Sequence, residues 1–164
     1  MRLEEFNAAD RDAAIAVLRP CLDIPRWLDE LVDARPYGSV DELVAWAEAA
    51  AAPFTVDEVD GALGQHPRIG ERPAGDGAEA AMSRAEQAGV DPADAEIAAA
   101  LAAGNRAYEE RFGRVFLIRA AGRSSREILA ALTERLAHTP VEEEPVVADQ
   151  LRQIAVLRLK GLLA

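Results

Sequence analysis

Apolar positions recur along most of the chain at the three-to-four-residue spacing of one helix face, and polar punctuation divides them into blocks. Ser39-x-x-Glu42, Thr55-x-x-Glu58 and Ser124-x-x-Glu127 have capping-box spacing, in which a hydroxyl and a carboxylate satisfy each other's backbone N–H at a helix start. Asp91-Pro92 reads as a cap followed by a first-turn proline, with Asp94 and Glu96 adding negative charge where the helix dipole favours it. Stops fall at Pro20, Arg35-Pro36-Tyr37-Gly38, Ala52-Pro53, the stretch from Gly61 to Gly70, Gly113 and Thr139-Pro140. The pattern predicts about eight helices, over roughly 8–19, 24–34, 40–51, 56–63, 76–88, 93–112, 125–138 and 142–162. In the last, Val147, Leu151, Ile154, Val156, Leu157 and Leu159 form a broad buried face rather than a narrow seam. Val115-Phe116-Leu117-Ile118 is the one strand-like run. It is too short and isolated to found a sheet and is expected to cross the core as an extended segment. With no internal repeat or linker, the expected architecture is all-α, one compact domain over residues 1–164.

Composition narrows the function. The 164 residues suffice for one domain with a sizeable core, and 35 alanines favour helix. Acidic residues outnumber basic ones 29 to 18, and the net charge of −11 argues against nucleic-acid or anionic-membrane partners. A single cysteine, Cys21, excludes an internal disulfide and a multi-cysteine zinc site, and two histidines, His66 and His138, exclude a three-histidine metal centre. A Schiff-base mechanism would have to use the one lysine, Lys160. The N-terminus lacks a signal-peptide block, no apolar run is long enough to span a membrane, and the C-terminus is not a peroxisomal address. A cytoplasmic protein is expected.

Four constellations could carry chemistry. His66, followed by Pro67, is held off helical geometry between Gly64 and Gly70, so its imidazole is expected on a non-helical corner, suited to proton transfer near neutral pH. The same residue could be a loop histidine capping a helix end. Ser83, Glu86 and Gln87 share one helix face and could read a ligand rich in N–H and C=O groups. They also fit a capping box or a solvated stripe. The run from Asn105 through Tyr108 and Phe112 to Phe116 ends a helix at Gly113. It reads either as a core cluster with Asn105 bonded to backbone, or as an apolar wall for a flat heterocycle beside exposed backbone amides. Arg158, between Leu157 and Leu159, needs an acceptor, supplied by a protein carboxylate or by an anionic or carbonyl-bearing ligand. No phosphate loop, nucleophile elbow or His-Glu-x-x-His motif is present, and Glu142-Glu143-Glu144 reads as a helix N-terminus.

In order, Phe6-Asn7, Cys21, Trp27, Arg35-Pro36, His66-Pro67, Ser83-x-x-Glu86-Gln87, Asn105-x-x-Tyr108-x-x-Arg111-Phe112-Gly113-x-x-Phe116 and Ile154-x-x-Leu157-Arg158-Leu159 span nearly the whole chain. This set resembles the 2-oxo-4-hydroxy-4-carboxy-5-ureidoimidazoline (OHCU) decarboxylases of urate degradation. The His66-Pro67-Arg68-Ile69-Gly70-Glu71 form is similar to that of bacterial members. The resemblance implies an all-α, homodimeric carboxy-lyase without cofactor or metal, whose product is (S)-allantoin. It implies His66 as the catalytic histidine, Glu86 as its carboxylate partner, and Pro67, Ser83, Gln87, Phe116, Leu117, Ile118 and Arg158 as substrate-binding, with backbone amides after Phe116 among the donors. Such a substrate supplies its own electron sink, because the ring C=N delocalises the electron pair left by CO₂. The enzyme's task is then positioning and proton delivery. His138 would be the natural control for His66. Two other readings keep the scaffold: a non-catalytic helical interaction module, and a decarboxylase of a related ureido or hydantoin-like acid, for which the loop 72–77 could differ.

Overall fold

The computed structural model describes residues 1–163 except 65, 72–74, 76 and 91–93. The described residues form nine α-helices and no strand, so the all-α expectation holds. They are α1 (Leu3–Ala8), α2 (Arg11–Leu18), α3 (Pro25–Asp33), α4 (Val40–Ala50), α5 (Val56–Leu63), α6 (Ala78–Glu86), α7 (Ala95–Phe112), α8 (Ser125–Leu136) and α9 (Pro140–Leu162), with a single 3-10 turn at Gln87–Gly89. Two compact units divide the chain, Met1–Ala62 with Arg152–Ala164, and Leu63–Leu151.

The caps explain most boundaries. Thr55 and Glu58 reciprocate, with Oγ1 accepting from the Glu58 N–H at 3.1 Å and Oε1 from the Thr55 N–H at 2.9 Å. Ser124 and Glu127 do the same. At α4, Ser39 Oγ accepts from the Glu42 N–H at 3.0 Å, but the Glu42 carboxylate reaches one residue further back, to the Gly38 N–H. The expected helix over 8–19 is found as the shorter α2, and α1, which precedes it, was not expected. Asp10 Oδ1 accepts from the Ala13 N–H at 2.8 Å and starts α2, while Arg2 and Glu5 start α1. Thr139-Pro140 is a start rather than a stop. Thr139 Oγ1 accepts from the Glu142 N–H at 3.2 Å, and Pro140 begins α9 where a missing N–H costs nothing. Asp94 caps α7 by accepting from the N–H groups of Glu96 and Ile97. The expected cap at Asp91-Pro92 lies outside the described residues. Gly113 closes α7 at φ 69°, a left-handed conformation that favours glycine.

In the first unit Phe6, Leu18, Trp27, Leu28, Leu31 and Leu43 are buried. Side chains satisfy several of its backbone groups at turns and along the helices. Arg35 Nη1 donates to the carbonyls of Phe6 and Ala9, each at 2.7 Å, and its guanidinium lies 5.4 Å from the Phe6 ring centroid. The Asn7 amide pairs with the Tyr37 backbone, donating to its C=O at 2.9 Å and accepting from its N–H at 3.0 Å. The Tyr37 hydroxyl donates to Leu31 O at 2.6 Å, and burial pushes its pKa up to about 12. Trp27 Nε1 donates to Ala47 O at 3.0 Å.

In the second unit Leu101, Tyr108, Phe116, Ile118, Ile128 and Leu132 form one core. The run 115–118 is neither helical nor paired in a sheet, and Phe116, Leu117 and Ile118 are buried, as expected of an extended crossing. The helices α7 and α8 approach closely at Gly104. A Cβ there would lie 2.5 Å from Leu132 Cδ2, on a fully buried side chain. Alanine would gain up to about 1 kcal/mol of helix propensity but overpack the contact by about 1–3 kcal/mol. Gly104→Ala is therefore expected to lower stability by on the order of 1 kcal/mol, read as a fall in urea midpoint. An unchanged or higher midpoint would show that Leu132 yields freely.

Candidate active site

His66 stands on a short corner that follows α5. Its N–H donates to Leu63 O at 3.1 Å, closing the turn, and both the imidazole and Pro67 are half-buried. The next turn is closed by the Glu71 N–H donating to Arg68 O at 3.1 Å, with Gly70 at φ 90° in the region where L side chains are strained. Three side chains fix this turn. Asn105 Nδ2, on α7, donates to Ile69 O at 3.0 Å. Gln87 Oε1 accepts from the Gly70 N–H at 2.9 Å. Arg68 grips Glu109 through Nε at 2.6 Å and Nη2 at 3.3 Å. The corner is braced on α7 and on the residue that follows α6, so the imidazole projects from a fixed base rather than a free loop.

Ser83 is buried inside α6, well past its first turn, so it is not an N-cap and the capping-box alternative fails. Glu86 is the last residue of α6, half-buried, and Gln87 begins the 3-10 turn. The Gly70–Gln87 bond thus ties the segment carrying His66 to the residue following Glu86. Beside this clamp opens a cleft of about 790 Å³, with Ile69 and Leu101 on its apolar wall and Gln87, Asn105 and Arg106 among its polar groups. Among the described residues neither His66 nor Glu86 lines it.

The aromatic run is a core cluster. The Tyr108 ring lies 4.5 Å from that of Phe112 and 5.2 Å from that of Phe116, edge-on to the latter, and Asn105 is bonded to backbone. Leu117 and Ile118 continue the buried segment. Arg158, in the first unit, is buried, and Nη1 donates to the Pro20 carbonyl at 2.9 Å, an acceptor that sequence reasoning did not consider. Among the described residues no group of three His, Cys, Asp or Glu side chains could hold a metal ion, and no helix is long and apolar enough to cross a membrane.

Sequence reasoning missed a buried polar node. Glu143, 2% exposed, is reached by the Tyr108 hydroxyl at 2.7 Å, Arg135 Nε at 2.7 Å and His138 Nδ1 at 2.8 Å. Arg135 also donates through Nη1 to Leu117 O at 2.6 Å and lies 4.6 Å from the Phe116 ring centroid. Burial alone would raise the Glu143 pKa, but the hydrogen bonds from Arg135, His138 and Tyr108 outweigh it and hold the carboxyl below its usual range. Burial and the bond to Glu143 push the Tyr108 phenol well above its own range. The signal was available in the helix periods. Glu143 stands one turn before Val147 on the apolar face of α9, and Arg135 continues the Ile128, Leu132 face of α8. His138, which the sequence offered as a control for His66, is part of this node.

The family model described as OHCU decarboxylase matches residues 7–160. A 2-oxo-4-hydroxy-4-carboxy-5-ureidoimidazoline decarboxylase of Amia calva is 34% identical over 131 residues, covering 79% of this chain and 75% of that protein. One from Haloferax volcanii is 29% identical over 161 residues, covering 97% and 94%. A crystal structure of OHCU decarboxylase in the presence of (S)-allantoin superposes with a TM-score of 0.74 at 24% identity, covering 94% of this chain and 98% of that one.

The Glu143 node has a pH signature. Because its folded pKa is lowered, its contribution is complete above the ordinary glutamate pKa of about 4.3 and is lost as pH falls through the folded value. Glu143→Gln, which leaves Arg135 buried without its counter-charge, is expected to cost about 3–5 kcal/mol at neutral pH. The gap to the parent protein should narrow below about pH 4. Denaturant melts across pH check this, and a gap independent of pH would refute the assignment.

Proposed function

The chain belongs to the OHCU decarboxylase family, and from that premise we infer that it removes CO₂ from 2-oxo-4-hydroxy-4-carboxy-5-ureidoimidazoline to give (S)-allantoin, as a carboxy-lyase of urate degradation. The structural observation that carries the reading is the braced His66 corner, tied by Gly70 and Gln87 to the end of the helix that carries Glu86. General acid–base chemistry needs a titratable group held in place. A corner fixed at both Ile69 and Gly70 meets that need better than a free loop.

In this reading the bond from the ring carbon to the carboxylate breaks, CO₂ leaves, and the electron pair passes into the adjacent C=N. His66 takes the proton of the substrate hydroxyl and returns a proton to one face of the carbanion, which sets the handedness of the product. Glu86 orients the imidazole or anchors ureido N–H groups. Pro67 shapes the corner. Ser83, Gln87 and Arg158 bind oxo and ureido groups, Phe116 contributes to the ring wall, and Leu117 and Ile118 offer backbone donors. Gln87 then has two duties, since its amide oxygen already accepts from Gly70. The substrate's own electron sink removes the need for a cofactor. The whole chain acts as one domain, a reading supported by a family match that runs across both units. A homodimer in the cytoplasm completes the proposal.

The test couples urate, a urate oxidase and a hydroxyisourate hydrolase to this protein and follows circular dichroism for optically active allantoin. Fast appearance of the signal is expected, and racemic, unaccelerated decay would sink the reading. His66→Asn should lower the rate by roughly 10²–10⁴ with the fold intact. Near-normal turnover would remove His66 from the mechanism, and unchanged kinetics in Glu86→Gln would remove Glu86.

A further inference from the structure

We propose that Arg135 and Glu143 are positioning residues that aim and polarise the Ile118 N–H toward the ring oxo oxygen of the substrate. The inference rests on the reading above, in which the segment after Phe116 supplies backbone donors.

The peptide unit between Leu117 and Ile118 is planar and trans, so its C=O and N–H point in opposite directions, and fixing one fixes the other. Arg135 Nη1 fixes the C=O at 2.6 Å. The donor is charged, so the bond is strong and withdraws electron density from the amide, making the N–H at its far end a better donor. Arg135 is itself held in place by its contacts. Its Nε is held by Glu143 at 2.7 Å, its Cζ lies over the Phe116 ring, and it is 5% exposed. Glu143 is held in turn by Tyr108 and His138.

The neighbouring residue is held by side chains too. Gln150 Oε1 accepts from the Arg119 N–H at 2.9 Å, and Arg119 O accepts from Arg123 Nε at 2.9 Å. The Ile118 N–H has no such side-chain partner among the described residues. Ile118 is buried, and among the described residues no hydrogen bond reaches its backbone N–H. Buried amides seldom go unpaired in folded proteins, so a donor fixed in direction and left open is suited to a ligand oxygen. The oxo oxygen is the fitting acceptor, because the electron pair released with CO₂ delocalises through the C=N toward it. A fixed dipole at that point acts on the transition state more than on the bound substrate.

The experiment compares the full-length parent with Arg135→Lys, which retains the charge but not the fork that reaches Glu143 and Leu117 together. Kinetics are corrected for the folded fraction, and the Ile118 amide is followed by ¹⁵N NMR with (S)-allantoin as the probe. A fall of about tenfold or more in kcat with KM changed less than about threefold is expected. The Ile118 resonance should move on adding allantoin to the parent protein, and its unliganded position should differ in the variant. If Arg135→Lys does not fold, Tyr108→Phe, which removes one donor from Glu143 and keeps both charges, should move the same resonance and lower kcat by a smaller factor. Parent-like kcat with an unmoved Ile118 resonance in a folded variant would overturn the proposal, as would a change in stability alone. His66→Asn measured in parallel separates the two levels. If it retains turnover, the underlying reading fails; if it is inactive while the Arg135 variant is parent-like, only the positioning role fails.

Discussion

The second unit depends on one carboxylate. Glu143 has almost no access to water, and an isolated charge there would cost several kcal/mol. It is tolerated because its three donors come from separate places: Tyr108 on α7, Arg135 on α8 and His138 in the turn before α9. An apolar cluster of equal volume could fill the space, and in many proteins such a replacement is neutral or stabilising. It could not satisfy Leu117 O, however, which is buried in a segment with no helix or sheet to supply a partner. The ion pair therefore does something packing cannot. It extends a charged donor into the core and holds an irregular stretch of backbone in one orientation.

The same device recurs at other turns and helix ends among the described residues. Arg35 takes the carbonyls of Phe6 and Ala9, Asn7 takes both backbone groups of Tyr37, and Asn105 takes Ile69 O. A helical protein cannot bury its connections unless something stands in for the missing ladder, and side chains with fixed forks or paired donor and acceptor do so at low entropic cost. This separates the residues that carry the family resemblance into two groups. Phe6, Asn7, Arg35, Asn105, Tyr108 and Phe116 brace backbone or fill core. In the proposed reading His66, Ser83, Glu86, Gln87 and Arg158 act on the substrate, and Gln87 and Phe116 serve in both groups.

The helices were legible because capping and periodicity are local. Ser124 and Thr55 announce α8 and α5 by the chemistry seen in the structure, and Gly113 ends α7 as its position suggests. Thr139-Pro140 was misread because proline alone does not distinguish a stop from a first turn, and the deciding hydroxyl and carboxylate lie on either side of it. The corner at His66 was legible for a similar reason, since Pro67 and Gly70 restrict the backbone themselves. What held the corner was not. The partners Asn105 and Glu109 are 36 and 41 residues from Ile69 and Arg68, and no local rule pairs them. The Glu143 node was partly legible. A glutamate and an arginine each interrupt an apolar face, but three consecutive glutamates at a helix start have an adequate local explanation, and that explanation concealed the buried one.

The charge balance bears on how such a protein would handle an anionic substrate. Several arginines are committed to protein carboxylates: Arg68 to Glu109, Arg26 to Glu58 and Arg135 to Glu143. For a decarboxylation this is an advantage. The carboxylate loses its charge as CO₂ departs, so a cation bound tightly to it would stabilise the ground state more than the transition state and slow the step. Stabilisation is useful where charge arrives, on the ring and its oxo oxygen, and there a neutral N–H of fixed direction suffices. A protein of net charge −11 need not attract the carboxylate strongly. It needs local dipoles aimed at the other end of the substrate, and buried arginines used as braces are one way to aim them.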